Sequence, residues 1–181
     1  MDTHTFFEQV LGLISPYKIV SVTQEPESGI HIHISVSRDY LPDSAVGIHD
    51  YESRTWRHLD LFQYPCYLHC EVPKYRYKSP CGKSYVKTLE VPWSRKHSGF
   101  SLLFEQSVIE LVKLYGIVAP VARQLGLYPQ RVWKLISFYS AKSCSSSIDM
   151  SKVRRIGLDE TSHKKGQSYV SCFVDMDTGK L

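Results

Sequence analysis

Three groups of residues in this 181-residue chain have the types and spacing to do chemistry. Asp159 follows the short apolar run Ile156-Gly157-Leu158. A carboxylate at a strand end can ligate a divalent cation, although the same residue there is also an ordinary turn-former. Gln130, Arg131 and Lys134 fall on one outward helical face if Val132, Leu135, Ile136 and Tyr139 point inward. Arg and Gln can form bidentate contacts to guanine and adenine edges, and Lys neutralises phosphate. Cys66, Cys70 and Cys81 form the third group. If residues 66–70 are a strand, the first two thiols share a face about 13 Å apart, at roughly 3.3 Å per residue. One zinc with thiolate bonds of about 2.3 Å cannot bridge that gap. These cysteines read as core residues, and no zinc is expected. His31 and His33 share a polar strand face and read as solvated.

Elements of definite kinds must position these groups. Phe6, Phe7, Val10, Leu11 and Ile14 recur at helical spacing, and residues 17–23 and 30–36 flank a turn as a hairpin. In its second arm Ile30, Ile32, Ile34 and Val36 alternate with His31, His33 and Ser35. Residues 38–50 read as polar turns, and residues 51–93 as short aromatic strands broken by Pro65, Pro73, Pro80 and Pro92. Ser101 is an N-cap with Glu105 in the first turn, opening a helix whose stripe of Phe104, Val108, Leu111, Val112 and Tyr115 ends at Gly116.

Residues 118–142 carry a helix-turn-helix pattern. Ala122 lets two helices cross closely, Gly126 permits the turn, Pro129 opens the second helix, and positions 121, 125, 127, 132 and 135 are apolar. Trp133, at the edge of that face, reads as a packing residue. Residues 143–147 read as a linker. After the strand that carries Asp159, residues 164–166 form a turn, residues 169–174 alternate as a second strand, and Asp175 and Asp177 fall at its end and in an Asp-Thr-Gly turn, outside any catalytic set. The expected division is therefore residues 1–96, a β-rich module; 97–142, the helical unit; and 152–181, the terminal strands.

Hydrophobic residues make up 43% of the chain and aromatics 12%, enough for a core, so it is no disordered tail. Residues 1–50 carry two Lys/Arg against seven Asp/Glu, whereas residues 51–181 carry twenty against eleven. A basic body behind an acidic front suits a nucleic-acid binder, though a solvated surface has the same signature. The first 14 residues lack a basic start and hold Glu8, which excludes a signal peptide or membrane span. Five scattered cysteines fit a reducing compartment, and the expected location is cytoplasmic.

Residues 50–60 (DYESRTWRHLD), 90–95 (EVPWSR) and 156–162 (IGLDETS) resemble, in order and spacing, the ISL-three family of bacterial insertion-sequence transposases. The resemblance extends over about residues 30–181. It implies an α+β chain: a small β-rich amino-terminal module with a degenerate zinc-binding-like segment, a helix-turn-helix unit, and the opening strands of an incomplete ribonuclease-H-like domain. Leu41-Pro42-Asp43-Ser44 stands where the family shows a Cys-Pro-x-Cys knuckle, and Tyr77 stands near a usual cysteine position. Asp159 matches the first acid of the family's Asp, Asp, Glu triad. The other two are expected beyond Leu181, so the chain reads as the front of a transposase and as inactive alone. Divalent metal, Mg²⁺, is implied for the full-length family, held at Asp159 only in a completed core. The implied partner is double-stranded DNA at insertion-sequence ends, with self-association or pairing with full-length transposase. The alternative reading is a DNA-binding regulator or an inactive pseudogene remnant derived from a transposase.

Overall fold

Alternation over residues 30–35 presents isoleucines to one side and histidines to the other, as a half-buried strand requires. In the computed structural model, which describes residues 2–144, 150–164 and 168–179, these residues form β2 (Gly29–Val36). It pairs antiparallel with β1 (Tyr17–Glu25), as expected, and its three isoleucines are buried. β3 (Ala45–Leu61), β4 (Tyr64–Lys78) and β5 (Ser84–Thr88) complete a five-stranded sheet. Its order is β1-β2-β4-β3, β5 pairs with β4, and β2 and β4 run parallel. Trp93 seals the apolar face, its ring 5.0 Å from Tyr17 and 5.5 Å from Trp56 in edge-to-face contacts. The amino-terminal helix α1 (Thr3–Val10) is shorter than its apolar spacing predicts. Gly12 turns the chain at φ +62°, so Phe7, Leu11 and Leu13 pack on the core while Ile14 stays exposed.

The middle segment departs from expectation. β3 begins at Ala45, inside the stretch read as polar turns, and Pro65 and Pro73 lie within β4 rather than breaking it. The reason lies in which edge of β4 is occupied. β2 pairs with Cys66–Cys70 and β5 with Lys74–Lys78, so Pro73 falls between two partners where its missing N–H interrupts no ladder. Pro65 sits at a register shift against β3. Its carbonyl lies so close to Gly29 that a Cβ there would meet it at 2.1 Å, and Gly29 also has φ +107°. Only glycine meets both conditions.

The sheet is joined to the helices through residues 93–105. Arg57 N–H donates to Gly99 O at 2.9 Å, Ser101 N–H to Arg57 O at 3.0 Å, and Leu102 N–H to Trp93 O at 2.8 Å. Ser101 caps α2 (Leu102–Tyr115) by accepting from Phe104 N–H, and it also bonds His58 Nδ1 at 2.8 Å. Glu105, expected as a first-turn acid, is fully buried. Its carboxylate takes Arg95 Nε at 2.9 Å and Ser98 Oγ at 2.5 Å. Gly116, left-handed at φ 69°, ends the helix as predicted. Only Phe104 and Val108 of the expected stripe are buried, and Tyr115 is exposed.

Contacts divide the chain into two compact units, residues 1–135 and 136–181. The second contains β6 (Ile156–Lys164) and β7 (Ser168–Asp175), an antiparallel pair. β6 runs on past Asp159, where the sequence suggested an end. Ile156, Leu158 and Phe173 are exposed on the pair. Asp175 accepts from Asp177 N–H and Thr178 Oγ1, and Arg155 forms an ion pair with Asp177, so both acids serve the turn. Ser143 and Cys144, read as linker, end helix α4 (Pro129–Cys144); residues 145–147 lie outside the described residues, as does most of the 164–166 turn.

Two stability predictions follow from the joint. Glu105→Ala leaves Arg95 without its buried partner and should cost about 3–5 kcal/mol in urea unfolding, against far less for an exposed acid such as Glu110. His58 titrates below its ordinary value because burial and then the Arg57 charge disfavour the imidazolium. A base depressed in the fold leaves the unfolded chain holding more protons below about pH 6.5. Stability should therefore be full above that pH and fall as pH drops through it, with a shallower fall in His58→Gln.

Candidate nucleic-acid interface

The helix-turn-helix is built as its small residues require. α3 (Val118–Gln124) buries Val121 and Ala122 and α4 buries Val132 and Leu135, with Leu125 and Leu127 half-buried in the turn that joins them. Gly126 takes φ 63°, and Leu127 N–H closes the turn onto Ala122 O at 2.8 Å. Pro129 occupies the first turn of α4, where its missing N–H leaves nothing unsatisfied.

With Val132 and Leu135 inward, Gln130 and Lys134 stand exposed on the opposite side of α4. Arg131 is exposed too, on the flank of that face, its guanidinium 4.2 Å from the centre of the Phe100 ring. Stacking of this kind uses the face of the guanidinium and leaves its in-plane N–H groups directed away from the ring. Trp133 corrects the sequence reading. It is 56% exposed, because only one side of α4 meets the core and position 133 lies off that side. An exposed indole beside Gln130 and Lys134 adds an aromatic surface to a polar, basic one.

Asp159 is exposed in the middle of β6, opposite Cys172, and Glu160 faces the other side opposite Ser171. Among the described residues no group of three or more His, Cys, Asp or Glu side chains could hold a metal ion.

The histidines make a feature missed in the sequence. Parallel pairing of β2 with β4 sets His69 beside His33, and the His33 and His69 rings stack at 4.7 Å. His69 Nε2 lies 2.9 Å from His31 Nδ1, His31 Nε2 lies 2.9 Å from Ser28 Oγ, and Thr55 Oγ1 lies 3.0 Å from His69 Nδ1. Ser28 donates to Glu25, so it accepts from His31 Nε2–H. His31 Nδ1 must then accept from His69 Nε2–H, and His69 Nδ1 accepts from Thr55. In this arrangement each ring nitrogen of His31 and His69 has a hydrogen-bond partner. Burial, followed by His33 and His31, holds His69 below its ordinary value.

Two segments of the chain are similar to parts of known proteins. Residues 89–140 match the helix-turn-helix domain of transposase family ISL3, and residues 45–81 match the zinc-finger of transposase IS204/IS1001/IS1096/IS1165. The chain is also 30% identical over 135 residues to the transposase for insertion sequence element IS1557 of Mycobacterium tuberculosis, strains CDC 1551 and H37Rv alike. That match covers 71% of this chain and 28% of each relative's length. No solved structure matches. Residues 45–81 and 89–140 are thus similar to the zinc-finger and helix-turn-helix parts of such transposases.

The residues of the zinc-finger segment do not fit a zinc. It folds here as the β3–β4 hairpin, and Cys66 and Cys70 both point into the apolar core. Burial pushes the Cys66 thiol up to about 11 and Cys70 to about 12, as expected of thiols packed among apolar side chains. Cys81 is exposed beyond the hairpin, 2.9 Å from Ser79 Oγ. Apolar packing occupies the place of the metal. Elemental analysis of purified protein should find well under one zinc per chain, and chelator should leave the thermal transition unmoved; stoichiometric zinc with unfolding on chelation would contradict the arrangement.

Proposed function

We propose that this chain binds duplex DNA through α3 and α4, as the DNA-binding part of an insertion-sequence transposase, at the ends of such an element in the bacterial cytoplasm. The observation that carries this reading is the exposed face of α4. Gln130 and Lys134 stand opposite the packed side of a helix that the turn at Gly126 holds against α3. In this docking mode the second helix lies in the major groove with its early residues at base edges. Gln130 suits an adenine edge, Lys134 a phosphate, and Arg131, braced on Phe100, a guanine or a phosphate.

Catalysis is a separate matter. In this proposal Asp159 is the first acid of a triad in a ribonuclease-H-like core, and β6 and β7 are that core's opening strands. Two-metal phosphodiester chemistry needs several converging carboxylates. Among the described residues no group of three or more such ligands forms around Asp159. Mg²⁺ therefore belongs to a completed core, and the chain by itself cuts no DNA. No helix among the described residues is long and apolar enough to cross a membrane, in keeping with a protein that works on DNA.

Fluorescence anisotropy on duplexes bearing insertion-sequence ends tests the reading. Binding should weaken steeply with salt as counterions are no longer released. Arg131→Ala should lower affinity for the preferred duplex by about 1–3 kcal/mol if it reads a base. Joint replacement of Gln130, Arg131 and Lys134 by Ala should abolish the preference for the ends. Unchanged affinity and preference in the triple variant would refute this reading face.

A further inference from the structure

The β4–β5 hairpin has a composition that neither the fold nor the helix-turn-helix explains. Residues 74–88 hold Lys74, Arg76, Lys78, Lys83 and Lys87 and no acid. Lys74 is engaged by Glu52 at 3.4 Å. The other four are exposed. Arg76 faces only the neutral or repelling ring of His49, at 3.0 Å. Lys87 has Glu90 at 3.8 Å, a pair in which both side chains are more than half exposed and which water and salt weaken. Among the described residues neither Lys78 nor Lys83 forms an ion pair. Four like charges on one short ribbon repel one another, which costs the fold unless a polyanion uses them.

The ribbon's register spreads them over both of its faces. Lys87 pairs with Tyr75 and Tyr85 with Tyr77, so lysine and stacked tyrosines share one face, the rings 5.4 Å apart. Arg76 and Lys78 alternate on the other. Along a strand such alternate residues are roughly 6.6 Å apart. Successive phosphates of one DNA strand are separated around the helix as well as along its axis, so their spacing is of the same order. Past the Ala45–Tyr77 pair, where β3 begins, residues 78–84 run on as a free tip. Gly82, at φ 80°, and the Ser79 N–H bond to Lys83 O at 2.9 Å close that tip, and they hold Lys78 and Lys83 at its two sides.

We infer that the β4–β5 ribbon is a second DNA-contacting element, gripping the phosphate backbone through Arg76, Lys78, Lys83 and Lys87. It carries no sequence information; the tyrosines stiffen it and the basic groups add affinity. Phosphate is the chemistry that fits, because the charges are cationic donors spread along a ribbon that holds no acid. The inference rests on the DNA-binding reading above. It adds a contact outside the helix-turn-helix, in the segment where the donor set for zinc is lost.

The test is the salt dependence of binding to a random-sequence duplex of about 40 base pairs, some four helical turns. Each phosphate contact contributes roughly 0.9 to the slope of log K against log salt. Arg76→Gln/Lys78→Gln/Lys83→Gln/Lys87→Gln should flatten the slope by about 2 to 4 and weaken binding on the order of tenfold or more at low salt. Preference for insertion-sequence ends over random duplex should persist. Lys18→Gln/Arg38→Gln, removing exposed basic groups elsewhere, should change the slope by less than about one. Equal flattening in both variants would reduce the effect to net charge and overturn the inference, as would an unchanged slope in the quadruple variant. Wild-type protein that binds no duplex would overturn this inference and the DNA-binding reading together. Binding to phosphatidylserine vesicles that the quadruple variant loses, with DNA binding intact, would assign the ribbon to a membrane surface instead. A second measurement does not depend on substituting the ribbon. An iron-chelate cleaver attached to exposed Cys81 in a Cys144→Ser/Cys172→Ser background, where Cys66 and Cys70 are buried, should cut bound duplex; absence of cutting in a complex that forms normally counts against the ribbon.

Discussion

A buried carboxylate holds the amino-terminal 135 residues together. Glu105 is removed from water at the start of α2, where the positive end of the helix favours an anion, and its oxygens are taken by Arg95 and Ser98 from the preceding loop. Such a charge is tolerable only when paired and hydrogen-bonded, so the loop cannot move without stranding it. The same loop supplies Trp93 to the sheet core and Gly99 and Ser101 to the backbone of Arg57. Sheet, loop and first helix are thereby tied at one place. The helix-turn-helix then takes its position from a β-module rather than from a flexible linker.

That joint also shapes the exposed face of α4. Phe100 lies between Gly99 and the N-cap Ser101, and its ring carries the guanidinium of Arg131 from α4. A side chain at position 99 would meet Arg131 Nη2 at 3.3 Å, so glycine gives the guanidinium room. One arginine thus connects the loop that follows the β-module with α4. An Arg held in one orientation loses less conformational entropy on meeting its target than a free one.

The zinc-finger segment illustrates how a metal centre can be replaced. A structural zinc orders a short hairpin that has little core of its own. Here β3 and β4 are 17 and 15 residues long and lie in a five-stranded sheet, with Trp56, Leu68 and Val72 fully buried. Apolar burial does the work of the metal, and the two strand cysteines become part of that core. On the other face of the sheet, the His31–His69 chain uses its ring nitrogens on one another and on hydroxyls, so it too offers no ligand set.

Much of this was legible in the residues alone, and the boundary has a physical cause. The β1–β2 hairpin, the Ser101 cap, the Gly116 stop and the turn at Gly126 depend on neighbours within a few positions: alternation, one hydroxyl, or one residue free to adopt positive φ. The spacing of Cys66 and Cys70 likewise placed both on one face of a strand and in the core. What depended on distant partners was not legible. Pro73 is tolerated in β4 only because of where β2 ends and β5 begins, and Trp133 is exposed because α3 and the β-module cover the other side of its helix. His69 meets His31 across 38 positions through a parallel pairing that no local pattern announces. Glu105 is buried because residues 95 and 98 fold back over it. Short-range sterics and hydrogen bonding were written in the sequence; burial and pairing between remote segments were decided by the tertiary structure, since each depends on the placement of the whole sheet.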